Sequence, residues 1–383
     1  MARLGEIFDL QMGKTPSRNK SNYWTDGQYS WVSIADLGTY QKYVGATKEE
    51  ISEVAVRESE IKSVPANTVI MSFKLSLGKT AITKEEVYTN EAIMAFIPTG
   101  KYDVLPDYFY HLFTGKDWSK ETNRAVMGAT LNKAMLSEIS VPVPLIDEQR
   151  KIAAVLDKVS DLIAKRRQQL DKLDELIKAR FVEMFGDEHH LDDWNCVSVG
   201  EVADICVGVV IKPTQYYTDQ GGVPAFRSLN IGAMTIKNAD WVYFTKEGHE
   251  KNKKSIVCEN DVLVVRSGAP GTACVVTKEF SGYNAVDIII AHPNIEKINS
   301  VFLAMFTNMP HGMNQIREKT GGAAQQHFNV GGYKELTVIL PPIELQNQFA
   351  AFVEQTEKTK TTISESLQQL ETLKKALMQE YFG

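Results

Sequence analysis

The chain has no run of eighteen or more apolar residues, so no helix of it is expected to cross a bilayer and no membrane partner is expected. It has no CxxC pair. Its four cysteines, Cys196, Cys206, Cys258 and Cys274, all fall in the second half at no zinc or redox spacing, and they read as buried, reduced thiols. The opening residues, Met1-Ala-Arg-Leu-Gly-Glu, lack a basic segment followed by an apolar run, so no secretory signal is expected and a cytoplasmic location follows. Positive charge is scarce too, with 42 Lys and Arg against 48 Asp and Glu, a net charge of −6. This counts against nucleic-acid binding, which needs a basic surface to neutralise phosphates. The objection weakens if acidic residues gather elsewhere, because the local field at a groove matters more than the sum.

Catalytic signatures are missing as well. Gly13-Lys-Thr15 and Gly78-Lys-Thr80 suggest phosphate loops, but the glycine required five residues before each is Phe8 or Phe73. Pro106-Asp107 is followed by no Asp/Glu-x-Lys triplet that would complete a nuclease metal site. The one Pro-Pro, Pro341-Pro342, lies between Leu340 and Ile343 and not in the Asn/Asp-Pro-Pro-aromatic setting that amino-methyltransferases use. Glu188-His189-His190 has no further spaced histidines and reads as an exposed linker after Gly186. No catalytic residue, metal site or cofactor is expected, so the chain reads as a non-enzyme.

What is present is a repeat. At 383 residues, with 43% hydrophobic and 23% charged residues, the chain is long enough for two or three folded domains. Residues 132–186 align without gaps on 329–383, with roughly sixteen identities where about three are expected by chance. Among them are Asn132/Asn329, Glu138/Glu335, Pro144/Pro341, Gln149/Gln346, Ala153-Ala154/Ala350-Ala351 and Phe185-Gly186/Phe382-Gly383. Each copy also opens alike, Leu4-Gly-Glu-Ile-Phe-Asp-Leu-Gln-Met-Gly13 against Val199-Gly-Glu-Val-Ala-Asp-Ile-Cys-Val-Gly208. Between the shared ends the copies diverge, which implies one scaffold presenting two different surfaces.

The variable parts carry short β-rich runs: 29–34, 68–73, 261–266 and 272–277. Compact apolar stretches, 106–113 and 300–306, start as short helices do. The expected fold class is α+β with mixed sheets. After each proline-rich junction comes a long helix, since 147–185 holds neither proline nor glycine. Leu156, Ile163, Leu170, Ile177 and Met184 recur every seven residues, with Val159, Leu162, Leu173 and Leu176 between them. Ile363, Leu370 and Leu377, with Leu367 and Leu373, repeat the stripe. Two such seams in one chain favour a pseudo-two-fold, antiparallel coiled coil, with packing of each helix on its own domain as the alternative. Asp157, Asp161, Asp171, Asp174 and Glu175 are expected on the solvated face.

Basic and amide side chains gather at equivalent places in the copies. Lys14, Thr15, Arg18 and Lys20 match Lys212 and Tyr217; Lys74 and Lys79 match Arg266; Arg124 and Lys133 match Lys319, Gln325, Gln326 and His327; Arg227 is a further candidate. Such groups suit phosphate positioning and groove contacts.

Taken with the repeat and the two helices, the openings Leu4-Gly-Glu-Ile and Val199-Gly-Glu-Val and the junctions 139–149 and 336–346 give a chain that resembles, along essentially its whole length, the specificity subunits of type I restriction-modification systems. The family's Gly-Thr/Ser-Thr-Gln-like turn is here 128–132 in one copy and 322–326 in the other. The resemblance implies a target-recognition domain at 1–145, a spacer helix at 146–186, a second recognition domain at 187–342 and a second spacer helix at 343–383. It further implies that each recognition domain reads one half of a bipartite target in double-stranded DNA. The helices would set the spacing and dock two methyltransferase subunits, with methylation and ATP-dependent cleavage residing in those and in restriction subunits. The readings kept open are a DNA reader for a related type IIB or phage-defence methyltransferase and, in a different class, a protein-only coiled-coil adaptor.

Overall fold

The computed structural model describes all residues except 75, 122–130, 188–193, 220 and 321–326. The chain divides into two compact units, one of 1–167 with 365–383 and the other of 168–364.

Each unit starts the same way, and the repeated Gly-Glu explains it. In unit 1 the Glu6 carboxylate accepts the Arg3 backbone N–H at 3.0 Å and caps a single helical turn, Leu4–Ile7. Glu201 takes the Ser198 N–H at 2.9 Å and its hydroxyl at 2.7 Å, capping Val199–Val202. The strand that follows ends at Gly13 or Gly208, where a Cβ would overlap the carbonyl oxygen of Thr89 or Ala285, so only glycine lets the chain leave the sheet there.

In unit 1 the strands Phe8–Met12, Ile93–Pro98, Val69–Ser72 and Thr80–Ile82 form an antiparallel sheet in that spatial order. In unit 2 the same order is built from Ala203–Val207, Ile288–Pro293, Val262–Val265 and Ala273–Val275. The unit 2 sheet is covered on both faces: Ile205, Val262, Val264, Ile289 and Ala291 enter one apolar cluster, and Leu263, Val265, Ile288 and Ile290 enter another. Double burial is why these strands read as continuous apolar runs without alternation. A three-stranded sheet accompanies each, Glu49–Ile51, Tyr29–Val32 and Tyr88–Thr89 in unit 1 and Val242–Phe244, Val223–Phe226 and Asn284–Ala285 in unit 2; each has one parallel pairing. The mixed α+β expectation is met, and the expected short helices form as Pro106–Gly115 and Ser300–Asn308.

The repeated junction glutamine is fully buried in both copies. Gln149 Oε1 accepts the Leu105 N–H at 2.9 Å, and its amide donates to Asp103 O at 2.8 Å and Pro144 O at 2.9 Å. Gln346 does the same for Asn299 N–H, Lys297 O and Pro341 O. One side chain thereby ties the entry of a short helix to the start of a long one.

The two long helices are Ile146–Phe185 and Ile343–Phe382. Each unit packs the first half of one against the last half of the other. In unit 1, Ile152, Ala153 and Leu156 share a core with Leu377, Met378, Tyr381 and Phe382, and Arg167 meets Glu371 at 2.6 Å. In unit 2, Phe181 and Phe185 pack on Phe349, and Asp174 meets Lys360 at 2.7 Å. The direction is antiparallel within each unit.

Three expectations need correction. Leu162, Leu176 and Leu373, counted with the buried stripe, are 38%, 47% and 47% exposed, because each stands about a third of a turn off the packed line. Asp157 is not a solvated carboxylate: it accepts from Lys42 Nζ at 2.6 and 2.7 Å and from the buried His111 ring at 2.8 Å. Of the cysteines only Cys274 is buried; Cys196 begins a two-stranded pair with 337–339 and Cys258 precedes a turn, both exposed. The segment 188–190 lies outside the described residues. Gly13-Lys-Thr15 follows the strand Phe8–Met12 and Gly78-Lys-Thr80, with Gly78 at φ +82°, leads into the strand Thr80–Ile82, and neither opens a helix onto a phosphate. No helix among the described residues is long and apolar enough to cross a membrane.

Gln149→Ala and Gln346→Ala should each cost about 2 kcal/mol, read as a lower urea midpoint, because backbone groups are left buried and unpaired. A second prediction concerns pH. Burial pushes the His111 imidazole below its usual 6.5, so the unfolded chain takes up a proton that the folded one resists. Unit 1 should therefore lose stability as the pH falls below about 6.5. His111→Met, copying Met305 at the equivalent place in unit 2, should flatten that acid-side loss in a pH series of denaturation midpoints.

Candidate nucleic-acid interface

The loops singled out from the sequence leave one end of the four-stranded sheet in each unit. In unit 1, Lys14 N–H bonds Thr89 O at 2.8 Å, the Thr15 hydroxyl pairs with Glu91, and Asn90 donates to Thr15 at 3.0 Å. Phe73 N–H reaches Ala92 O at 3.0 Å, which puts Lys74 beside the same turn, and Leu131 N–H returns to Phe73 O at 3.0 Å. Three separate stretches thus converge: the exit of the first strand, the exit of the central strand, and the segment before Asn132.

Unit 2 repeats the backbone and changes the side chains. Asp287 N–H bonds Val209 O at 3.1 Å, and Phe328 N–H bonds Arg266 O at 2.9 Å. Here Arg266, not Phe, follows the central strand, and it is only 8% exposed. Its guanidinium bonds Asp287 at 2.6 Å, Phe328 O at 3.1 Å and His327 Nε2 at 2.6 Å, while His327 Nδ1 lies 2.6 Å from the Ser267 hydroxyl. Because arginine has no lone pair to offer, His327 Nε2 is the acceptor and Nδ1 carries the proton donated to Ser267. Asp287 holds a left-handed backbone at φ +51°. Nothing in the sequence marked Asp287; it became visible only through strand register.

The other candidates are scattered. Arg18 forks onto Glu49, with Nη2 to Oε2 at 2.9 Å, and lies 3.7 Å over the Trp24 ring; the Glu49 hydrogen bond holds its pKa above the usual value. Lys20 is bound by Glu58 at 2.8 Å and by the Tyr23 hydroxyl at 2.7 Å, and Glu58 raises its pKa. Lys319 meets Glu335 at 3.0 Å. Tyr217 packs on Phe244, and burial raises its phenol. Arg227 donates to Asp240 O and keeps a buried Nε without a partner. Lys133 starts the short helix that Asn132 caps, and Lys212 precedes a turn at 213–216. Arg124, Gln325 and Gln326 lie outside the described residues. Among the described residues, Lys14, Lys74, Lys79, Lys133 and Lys212 carry no ion pair, so their charge is free for an anionic partner.

Residues 1–175 and 191–372 match the family described as "Type I restriction modification DNA specificity domain", and the chain belongs to that family. It is 23% identical over 92% of its length to the type I restriction enzyme MjaIX specificity subunit of Methanocaldococcus jannaschii, covering 85% of that protein. It is likewise 23% identical to the EcoprrI specificity subunit of Escherichia coli, over 94% of this chain and 88% of the other. In fold it is similar to the type I restriction-modification S subunit from M. genitalium, with a TM-score of 0.58 at 13% identity over 100% of this chain and 95% of that one.

Replacing Arg266 with Ala should lower the stability of unit 2 by about 1–3 kcal/mol, since it strips partners from a partly buried carboxylate and a carbonyl. Lys74→Ala should leave the denaturation midpoint unchanged. An Arg266→Ala midpoint equal to wild type would show that the guanidinium does not organise this end of the sheet.

Proposed function

We propose that the chain is the DNA reader of a type I restriction-modification complex, in which each unit reads one half of a split double-stranded target. The observation that carries this reading is the same sheet end built twice with different chemistry. Thr15, Asn90, Glu91 and Lys74 occupy it in unit 1, and Arg266, Ser267, Asp287 and His327 in unit 2. A common backbone with unlike donors and acceptors is what reading two unlike sequences requires.

Target recognition is assigned to 1–145 and 187–342, and spacing to the helices of 146–186 and 343–383. Lys14, Lys74, Lys79, Lys133 and Lys212 serve phosphate positioning; the engaged cations Arg18, Lys20 and Lys319 would exchange their carboxylates for phosphate or stay structural. Two methyltransferase subunits dock on the helices, where Val155 and Leu162, seven residues apart in unit 1, are exposed apolar side chains. Those subunits and ATP-dependent restriction subunits carry methylation and cleavage in the cytoplasm; this chain contributes no catalytic residue.

Co-expression with the neighbouring methyltransferase, followed by single-molecule mapping of N6-methyladenine in host DNA, should reveal an asymmetric two-part motif with a fixed gap. No motif despite a stable complex would favour the protein-only adaptor. Exchanging the variable segments upstream of Asn132 and Asn329 should reverse the half-site order, and removing whole turns after Asp147 should change the gap. Lys74→Ala and Lys212→Ala should each reduce the salt dependence of DNA binding by about one counterion without altering the motif.

A further inference from the structure

One constellation in unit 2 has no part in the reading end of the sheet. Strands Ala203–Val207 and Ile288–Pro293 pair with Cys206 opposite Ile290 and Asp204 opposite His292. His292 is therefore two residues along from the partner of Cys206 and on the same face, the diagonal relation that brings long side chains into contact. On the other side, Val262 pairs with Ala291, so Asp261 comes level with His292. Asp261 Oδ1 lies 2.6 Å from His292 Nδ1, and His292 Nε2 lies 3.7 Å from Cys206 Sγ. Asp261 is 3% exposed, whereas the cysteine is half-buried and reachable from solvent.

The repeat shows that this arrangement is not required by the fold. The equivalent positions in unit 1 are Gln11, Ile97 and Thr68. Gln11 bonds Ser63 O at 2.8 Å, the contact that Cys206 Sγ makes with Lys254 O at 3.4 Å. A glutamine fills the structural role of the cysteine there, and the imidazole has no counterpart, while Asp261 also accepts the Cys258 N–H at 2.6 Å.

We propose that Cys206, with His292 and Asp261, is an activated thiol that undergoes exchange with low-molecular-weight disulfides. Hydrogen bonds from the His292 ring to the Asp261 carboxylate and then to the sulfur raise the His292 pKa to about 10, so the ring is an imidazolium at neutral pH. Its Nδ1–H donates to Asp261 and its Nε2–H points to the sulfur, a cation placed to stand against the thiolate once the thiol proton, directed at Lys254 O at 3.4 Å, has passed to solvent. The thiolate attacks one sulfur of RSSR, a protein S–SR bond forms as the S–S bond breaks, and the departing RS⁻ takes a proton from solvent. His292 keeps its charge throughout and acts as a positioning residue.

The test uses the full-length chain and a time course of iodoacetamide labelling read at each cysteine by peptide mass spectrometry. Cys206 should label faster than Cys196 and Cys258, although both of those are more exposed, and oxidised glutathione should add one glutathionyl group at Cys206. His292→Gln should slow Cys206 at least about tenfold while leaving Cys196 and Cys258 at their wild-type rates, which reports an intact fold. Labelling of Cys206 slower than that of Cys196 and Cys258 in the wild-type chain would overturn the proposal without recourse to any variant. So would a Cys206 rate indifferent to His292→Gln. Neither result bears on DNA recognition, whose own test is the methylation map.

Discussion

A forty-residue helix with an apolar stripe along its length cannot stay folded alone in water, and most of this architecture answers that constraint. Neither long helix is covered by one unit. Ile152 and Leu156 are buried in unit 1, Ile177, Phe181 and Phe185 in unit 2, and the second helix divides the opposite way, with Phe349 and Val353 in unit 2 and Leu377 and Phe382 in unit 1. Each compact unit is thus completed by a helix end belonging to the other copy of the repeat. The buried glutamines Gln149 and Gln346 fix where each helix starts relative to its sheet, and the helix register follows.

Charge is organised by the same economy of partners. The excess of carboxylates over cations is largely a matter of where the carboxylates stand. Glu49, Glu58, Asp287 and Glu335 each hold a cation that the sequence alone offers as a DNA contact. A cation held this way is positioned but partly neutralised, so it contributes direction more than field. Lys14, Lys74, Lys79, Lys133 and Lys212 carry no ion pair among the described residues, which suits the proposed division between phosphate positioning and base reading.

The candidate site was legible in part. The three loop groups were found because basic and amide residues recur at matched places in the copies, and the structure gathers the strand exits at Lys14, Lys74, Arg266 and His327. Arg18, Lys20, Arg227 and Tyr217 look alike in a sequence, and their partners Glu49, Glu58, Asp240 and Phe244 are supplied only by tertiary folding. Asp157 was misread for the same reason: its partner Lys42 is 115 residues away. Cys206, His292 and Asp261 carried no motif, because strand register, not spacing, aligns them.

By itself the sequence determined the duplication, the family, the two long helices and the short strands of the mixed sheets, all of which are written in local pattern: identity at a constant offset, heptad spacing, short β-rich runs. Tertiary structure decided which helix end completes which unit, which cations are free, and which exposed leucines fall off the packed stripe. Those outcomes depend on pairings between residues far apart in the chain, whose energies are set by geometry that no local pattern encodes.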